Sequence, residues 1–435
     1  RILAPQPDMK NFIKQIFSNS KNHNFIKENI KNLSKKKSIS QVFEAINSYS
    51  SESEIRYVGG CLRKIINNEE IDDIDLATNL DPSEISEVLE KNKINFYESG
   101  IEHGTITAVF DDYKFEITSL REDILTDGRH AKVRFSKDWT LDASRRDFTI
   151  NSIYSDSDGN LFDPFDGKND LEKGEINFIG DVEKRIQEDY LRILRYLRFF
   201  LNYSKNPHNQ KIIKIIKINM SGIAKISKER LLDELKKLLK SKCLDKLSKD
   251  QFSLELLLLV FSELRNIKSV LNSLKDKKKI LEKIDFIFIL SLMIIDGSDN
   301  LDYFLYKYNI SNKDRKRMKI INEFYKEKKE TKHLNETKLN RVFYYNGKEA
   351  ALDILNFKII KSKTTNNELL RLRKLFKNKD IPNLPIGADT LMSKYKIPEG
   401  RQLGIKLKLI EEEWVKNNFK ISDLEIDNIV NTKDI

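Results

Sequence analysis

Hydrophobic and polar positions follow two different spacings, and the change falls near residue 180. Between residues 55 and 155, short segments of alternating apolar and polar residues are separated by glycine and proline turns, which is typical of strands. From Asp181 onward, apolar residues recur every three or four positions, as they do in amphipathic helices. The pattern therefore predicts the α+β fold class, with a mixed sheet first and an all-α region after it.

The first region is expected to combine strands with short helices. Strands are predicted at 56–58, 71–76, 104–110, 113–120, 133–135 and 150–155, of which the third and fourth form a hairpin. Helices are predicted at 62–67 and 82–91, and Asp81 or Ser83 is placed to cap the second helix.

The second region is expected to be helical throughout, beginning with one long helix over residues 182–203. The longest apolar run, residues 286–295, is about half of the roughly 20 residues that a membrane span needs, so it predicts a buried helix. Further helices are predicted at 209–219, 227–242, 251–272, 278–295, 300–308, 312–328, 335–345, 347–357, 366–378 and 403–418.

Composition narrows the class of protein. A chain of 435 residues corresponds to roughly three domains, and 39% hydrophobic residues are enough for several cores, which excludes wholesale disorder. Cys61 and Cys243 are far apart, and the five histidines are scattered, so no disulfide framework and no cysteine-type zinc site is expected. Because the N-terminal segment has no signal-peptide-like apolar stretch, a cytoplasmic location is expected.

Charge is distributed unevenly along the chain. Residues 1–50 carry a net charge of +6, residues 51–200 carry −13, and residues 201–435 carry +18. The acidic part can hold divalent cations, and the basic part favours a polyanion such as nucleic acid, although solvated lysine-rich helix surfaces are the alternative explanation. Nine of the 20 arginines fall between Arg121 and Arg198, which places phosphate or base recognition in that stretch.

The first candidate site combines a glycine turn with two carboxylates. Gly59 and Gly60 lie at a strand-to-helix turn where backbone amides can approach a phosphate, and Arg63 follows one turn later. On the predicted strand, Asp73 and Asp75 share one face about 6–7 Å apart, a spacing that suits a pair of Mg²⁺ ions bridged by phosphate oxygens. Each feature alone has an ordinary structural explanation, whereas the combination is far more specific.

Two further clusters are rich in arginine. Around the predicted strand entry lie Arg145, Arg146, Asp147 and Asn151, which can bind a triphosphate and ribose hydroxyls, or can form a surface charge cluster. The long helix carries a series of charged residues at spacings of three and four, which is either a salt-bridge ladder or a complement to the edge of a base: Glu188, Asp189, Arg192, Arg195 and Arg198.

Taken in order, these motifs resemble those of the bacterial class II CCA-adding enzymes (tRNA nucleotidyltransferases) and the related bacterial poly(A) polymerases. The resemblance covers about residues 55–240, and more loosely the segment from Ala388 to Trp414. Two positions depart from the family pattern, because Lys64 stands where an aspartate is usual and Ser152 where an alanine is usual. Further matching segments are His103-Gly104-Thr105, Phe115-Glu116-Ile117-Thr118, Asp163-Pro164-Phe165-Asp166-Gly167 and Ile226-Ser227-Lys228-Glu229-Arg230.

The resemblance implies a domain order and a set of residue roles. It implies an N-terminal lead-in (1–50), a head of the DNA polymerase beta nucleotidyltransferase type (51–178), and helical neck (179–245), body (246–360) and RNA-binding tail (361–435). Asp73 and Asp75 would be metal and catalytic ligands for two Mg²⁺ ions, with Glu116 as a third catalytic carboxylate. Nucleotide contacts are implied for Gly59, Gly60, Arg63, Arg146, Asp147 and Asn151, with base reading by Asp189 and Arg192 supported by Glu188, Arg195 and Arg198.

The implied activity is template-independent addition of CCA to tRNA 3′ ends from CTP and ATP, with release of pyrophosphate. The basic helical half would grip the tRNA acceptor arm, and no membrane and no stable protein partner is expected. Three alternatives stay open at this point. They are a poly(A) polymerase, an enzyme that adds only CC or only A, and a non-catalytic RNA-binding protein on a nucleotidyltransferase scaffold.

Overall fold

The computed structural model describes residues 23–100, 104–111, 113–125, 132–240, 244–277, 284–326, 336–362 and 366–432. The chain divides into two compact units, Arg1–Leu235 and Lys236–Ile435. His103 of the matched head segment and Cys243 lie outside the described residues. Along the described parts of the chain, none of the helices is long and apolar enough to cross a membrane.

In its described residues, the first unit contains nine strands and a set of mostly short helices. The strands are β1 (Ile55–Val58), β2 (Asp75–Thr78), β3 (Asn95–Gly100), β4 (Thr105–Val109), β5 (Lys114–Ser119), β6 (Arg121–Leu125), β7 (Lys132–Phe135), β8 (Tyr154–Ser155) and β9 (Leu161–Phe162). The helices are α1 (His23–Ser34), α2 (Lys37–Asn47), α3 (Gly60–Ile66), α4 (Pro82–Lys91), α5 (Trp139–Ser144), α6 (Gly167–Lys173), α7 (Val182–Glu188), α8 (Arg192–Tyr203), α9 (Gln210–Asn219) and α10 (Lys228–Lys240), with 3-10 turns at Thr149–Asn151 and Met220–Lys225.

Seven of these strands form one mixed sheet in the order β3-β4-β5-β2-β1-β8-β9. The pairing of β2 with β5 is parallel, and the other pairings in this sheet are antiparallel. The predicted hairpin is confirmed as β4 and β5, and β6 pairs with β7 as a separate ribbon. Both halves of the fold class, a mixed sheet followed by helices, are therefore confirmed.

Helices α1, α2 and α4 contribute to the main hydrophobic core of the sheet, which includes Ile39, Leu62 and Ile85. The boundary of α4 is the one predicted, since the Asp81 carboxylate accepts a hydrogen bond from the Glu84 amide at 2.9 Å. The Glu84 carboxylate in turn accepts from the Asp81 amide at 2.9 Å. This reciprocal capping, with Pro82 in the first turn, specifies where the helix begins.

Three predicted elements of the first unit differ from the structure, and all three lie at the candidate site. The strand predicted at 71–76 is confined to β2, because the Asp72 carbonyl accepts from the Tyr113 hydroxyl at 2.7 Å instead of a neighbouring strand. The helix predicted at 182–203 is interrupted, because Asp189 has an extended backbone (φ −153°, ψ 103°) between α7 and α8. The strand predicted at 150–155 is likewise reduced to β8, after the turn Thr149–Asn151.

The second unit is helical in its described residues. Its helices are α11 (Leu244–Leu247), α12 (Gln251–Val260), α13 (Ile267–Lys277), α14 (Phe286–Ile294), α15 (Asn300–Lys307), α16 (Asn312–Lys326), α17 (Glu336–Asn346), α18 (Lys348–Lys361), α19 (Asn367–Asn378), α20 (Ala388–Tyr395), α21 (Arg401–Lys416) and α22 (Asp423–Asn431). The apolar helix α14 is buried almost throughout, as its composition predicted. The helix predicted at 251–272 is wrong, since the Asn266 amide and side chain donate to the carbonyls of Met293 and Ile295 and the chain turns there.

Candidate active site

A cleft of about 650 Å³ in the first unit brings together twelve of the fourteen residues that the sequence singled out. Asp73 and Glu188 are the two that do not line it. The twelve come from β1, α3, β2, β5, the turn before β8, and the α7–α8 region: Gly59, Gly60, Arg63, Asp75, Glu116, Arg146, Asp147, Asn151, Asp189, Arg192, Arg195 and Arg198. Residues separated by more than 130 positions in sequence therefore form one surface.

The glycine turn keeps space open beside a carboxylate. Gly59 precedes α3 with φ +69°, a conformation that side-chain-bearing residues rarely adopt. A Cβ at Gly60 would lie 3.8 Å from Asp75 Oδ2 and 3.8 Å from an Arg63 guanidinium nitrogen. Glycine at this position leaves the Asp75 carboxylate accessible from the cleft.

Asp75 and Glu116 are the paired carboxylates of the cleft, since they are register partners in the parallel pair β2–β5. Burial raises the pKa of Asp75, and the nearby charges of Glu116 and Asp73 raise it further, against the opposing effects of Arg146 and Arg63. Asp73 lies just before the first residue of β2, so the strand predicted to carry both carboxylates contains only Asp75, and the predicted same-face spacing stays a prediction. It nevertheless lies close enough to act on the Asp75 charge.

This donor set fits Mg²⁺ held jointly with a triphosphate. Within the described residues, no group of three or more His, Cys, Asp or Glu side chains is assembled as a complete metal site. Mg²⁺ is usually held by one or two carboxylates together with substrate phosphates and water, which matches an incompletely assembled protein site. The repulsion among Asp75, Glu116 and Asp73 is the kind of electrostatic strain that a divalent cation relieves.

A chain of hydrogen bonds joins the sheet region to α8. Arg63 donates to Asn151 Oδ1, and Asn151 Nδ2 donates to Asp147 Oδ1 at 2.6 Å. The other Asp147 oxygen accepts from Arg195 Nε at 2.6 Å. Burial opposes ionisation of Asp147, but the charge of Arg195 and the Asn151 amide outweigh it and hold its pKa well below the ordinary value. These four residues therefore orient one another across the cleft.

Arg198 is held by the carboxylate of Glu234 on α10 and lies over the Phe199 ring at 4.3 Å from its centroid. Burial lowers the pKa of Arg198, Glu234 opposes this, and the like charges of Arg195 and Arg63 lower it further. The cleft is thus crowded with positive charge, which favours an anionic ligand.

Asp189 and Arg192 lie in the same cleft but have different partners. Asp189 Oδ2 accepts from an Arg230 guanidinium nitrogen at 2.7 Å, and Asp189 Oδ1 accepts from the Leu191 amide at 3.1 Å. Arg192 donates instead to Glu188 Oε2 at 2.6 Å. The prediction that Asp189 and Arg192 are neighbours one turn apart on a single helix is wrong, because Asp189 lies in the break between α7 and α8.

The residue that follows Asp189 is closely packed against the 3-10 turn Met220–Lys225. A Cβ at Gly222 would lie 2.0 Å from the Tyr190 ring, so only glycine permits the 3-10 turn Met220–Lys225 to approach. No helical spacing in the sequence marks this contact, because it joins residues more than 30 positions apart.

The cleft also contains residues that the site prediction omitted. Arg145 was named with Arg146 as a possible triphosphate ligand but received no role from the family resemblance, and Thr118 stood inside a matching segment. Phe199 reads as an ordinary core aromatic at helical spacing, and Arg121 begins a strand without a motif. The omitted lining residues that carry polar or aromatic side chains are Thr105, Thr118, Arg121, Arg145 and Phe199.

Comparison with known proteins agrees with this site. Residues 55–177 match the family model described as the poly A polymerase head domain. The human mitochondrial CCA tRNA nucleotidyltransferase 1 is 44% identical over 206 residues, which cover 47% of this chain and 46% of that protein. The chain thus spans about half the length of this relative, and of its mouse and zebrafish counterparts.

Bacterial relatives match over nearly the whole chain. The CCA-adding enzyme of Lactococcus lactis subsp. cremoris is 30% identical over 402 residues, covering 88% of this chain and 93% of the relative. The fold is that of the Bacillus stearothermophilus CCA-adding enzyme crystallised with CTP, with a TM-score of 0.64 at 21% identity over 88% of this chain and 94% of that one. With the carboxylates, glycine turn and arginines in one cleft, these matches show that the chain belongs to the CCA-adding enzyme family.

Proposed function

We propose that the protein adds the nucleotides C, C and A to the 3′ end of tRNA, using CTP and ATP and releasing pyrophosphate. The observation that carries the proposal is that one cleft contains a carboxylate pair, an arginine cluster, and Asp189 and Arg192 of the α7–α8 region. These three groups match the needs of phosphoryl transfer to a hydroxyl, which are charge neutralisation, triphosphate binding and nucleotide choice. The names of the full-length bacterial relatives support the same reaction.

Asp75 and Glu116 would hold the metal, with Asp73 contributing from the segment before β2. Two bound Mg²⁺ ions would neutralise charge on the triphosphate and activate the RNA 3′-hydroxyl as a nucleophile. Burial of Asp75 in the sheet keeps its carboxylate at one position, so little reorganisation is needed when the substrates arrive.

Arginines around the cleft would bind the triphosphate. Arg146 lies beside the carboxylate pair, as its effect on the pKa of Asp75 shows, and Arg63 reaches the same region. A guanidinium group offers a planar fork of donors that matches two phosphate oxygens. Asn151 and Asp147, which line the same cleft, would bind the ribose hydroxyls.

Asp189 and Arg192 would choose the base, with Arg195 and Arg198 supporting the site. Cytosine and adenine each present an exocyclic amino group beside a ring nitrogen, so an acceptor and a donor on the protein can bind either base. Guanine and uracil present a carbonyl oxygen at the corresponding position, which a carboxylate repels. Arg192 contacts Glu188 through one terminal nitrogen in this structure and lines the cleft, so it would contact the base from there.

The RNA substrate would be held mainly by the basic second half of the chain. Residues 201–435 carry a net charge of +18, which favours contact with phosphates. The Thermotoga maritima CCA-adding enzyme complexed with tRNA has the same fold, with a TM-score of 0.59 at 16% identity. Recognition through phosphates and helix shape would direct the 3′ end of tRNA to the cleft.

The order of nucleotide addition tests the proposal. A tRNA transcript lacking its last three residues is incubated with CTP alone, and a transcript already ending in CC is incubated with ATP alone. Two additions in the first reaction and one in the second are expected. If only the CTP reaction or only the ATP reaction extends its transcript, the enzyme adds only CC or only A. A run of A residues in the ATP reaction would identify a poly(A) polymerase.

A further inference from the structure

Asp142 on α5 is a buried carboxylate that serves two adjacent arginines of the cleft at once. Its side chain is 1% exposed, and the flanking arginine side chains are 16% and 20% exposed. Asp142 Oδ1 accepts from Arg145 Nε at 2.9 Å, and Asp142 Oδ2 accepts from an Arg146 terminal nitrogen at 3.0 Å. The same Asp142 oxygen accepts from the Tyr154 hydroxyl at 2.6 Å.

These contacts determine which nitrogens of each guanidinium group are bound to Asp142 and which one remains for a ligand in the cleft. Arg146 uses Nε and one terminal nitrogen for Asp142, and Nε also donates to the Tyr154 hydroxyl at 2.9 Å. Arg145 likewise uses Nε and one terminal nitrogen for Asp142. Among the described residues, neither arginine has an acceptor for its remaining terminal nitrogen, and both line the cleft. Asp142 itself does not line it.

The charge balance also favours an anion. Two adjacent arginines repel each other, and a single carboxylate neutralises one of the two charges, so a net positive charge remains at the cleft. Burial opposes ionisation of Asp142, but Arg146 and Arg145 outweigh it and hold its pKa well below the ordinary value. Asp142 Oδ1 also accepts from the Arg121 backbone amide at 3.3 Å, which ties the start of β6, and a third cleft arginine, to the same point.

We propose that Asp142 is a positioning residue that aims Arg145 and Arg146 at the triphosphate of the incoming nucleotide. The identity of the ligand as a triphosphate rests on the proposed function, whereas the contacts of Asp142 with the two arginines do not depend on the reaction. Asp142 touches neither the base nor the reacting atoms. Its loss should therefore weaken binding of the phosphates without changing which base is chosen.

The test measures binding of inorganic tripolyphosphate to the full chain by calorimetry, and KM and kcat for CTP on tRNA. Asp142→Asn removes the charge and keeps the side-chain shape. Because the two arginines lose the carboxylate that orients them, it should weaken tripolyphosphate binding by about tenfold or more, raise KM for CTP by a similar factor, change kcat less, and leave the preference for CTP over UTP unchanged. Tighter tripolyphosphate binding, as the loss of a negative charge alone would give, would overturn the proposal. Tyr154→Phe removes one hydroxyl from the same cluster and should shift both quantities in the same direction by a smaller factor.

Asp81→Asn is the matched control, because it weakens the cap of α4 in the same unit and lies outside the cleft. It should lower the melting temperature and leave tripolyphosphate affinity unchanged. Equal losses of affinity in Asp81→Asn and Asp142→Asn would mean that Asp142 acts only through stability, and the proposal would be wrong. If Asp142→Asn does not fold, an unchanged affinity in Tyr154→Phe would overturn it. Failure of tRNA extension by the wild type, with these binding losses intact, would count against the proposed function alone.

Discussion

Asp75 and Glu116 face each other across the parallel pair β2–β5, one on each strand, at the same level of the sheet. Side chains of register partners point to the same face of a sheet, so the two carboxylates lie side by side. Parallel pairing here brings together residues that are 41 positions apart in sequence. It gives the cleft a fixed acidic edge beside Arg63 and Arg146.

Asp75→Asn should reduce nucleotide incorporation at least about a hundredfold and leave tRNA binding unchanged, because the proposed metal site loses a charged ligand. Single-turnover extension of tRNA by CTP checks this. Asp72→Asn is a matched control, since Asp72 is a nearby carboxylate with 70% side-chain exposure and a salt bridge to Lys64. Incorporation by Asp75→Asn at the rate of this control would remove Asp75 from the active site.

The same variant should be more stable than the wild type at neutral pH. Because the folded protein raises the pKa of Asp75, the ionised carboxylate destabilises the fold, and this penalty develops as pH rises from the ordinary pKa through the raised one. The free energy of unfolding of Asp75→Asn should exceed that of the wild type near pH 7, and the difference should shrink toward pH 3. Denaturant unfolding at both pH values checks this, and a variant less stable at pH 7 would contradict it.

Arg192→Ala should damage base choice more than phosphoryl transfer. Loss of a good hydrogen-bonded contact to a base costs about ten- to hundredfold in discrimination, whereas the carboxylates remain in place. Competition of CTP with UTP on one tRNA measures the effect. Lys184→Ala, on the exposed face of α7, should keep the wild-type preference. If Arg192→Ala slows all nucleotides equally, the Arg192–Glu188 pair is only a structural salt bridge.

Affinity for tRNA should fall steeply with salt, while affinity for CTP should change much less. For a protein that makes six to ten phosphate contacts with duplex DNA, affinity falls by about three orders of magnitude or more between 50 and 200 mM salt. The fall in tRNA affinity should be somewhat smaller. Filter binding over that range checks this. A flat response would mean that the lysines of residues 201–435 form solvated helix surfaces and do not contact RNA.

Local signals in the sequence predicted the parts of the fold that local chemistry decides. Asp81 and Pro82 specified the start of α4, and the alternation over residues 104–120 specified the hairpin β4–β5. The break at Asp189 was not predictable in this way. Its carboxylate accepts from Arg230 and from the Leu191 amide, and Gly222 packs against the neighbouring Tyr190 ring, through contacts that only the folded chain creates. The apolar spacing continues through the break, so periodicity alone indicates one helix.

The candidate site, like the fold, was predictable where local sequence signals decide it and not where contacts between distant residues do. Motifs located twelve of the cleft residues, because each motif carries its own turn or charge pattern. Their partners were not predictable, since Arg192 binds Glu188 and Asp189 binds Arg230 through contacts that only the folded chain creates. The predicted domain boundaries and the cytoplasmic location remain predictions.

Sequencing the 3′ ends of a tRNA transcript that lacks CCA, after incubation with the protein, Mg²⁺ and all four nucleoside triphosphates, tests the central claim most directly. The account predicts that the transcript gains C, C and A in that order and that extension stops there. It also predicts that an unrelated RNA of similar length is not extended. Ends carrying a run of A residues, or ends left unchanged by the wild-type protein, would contradict it.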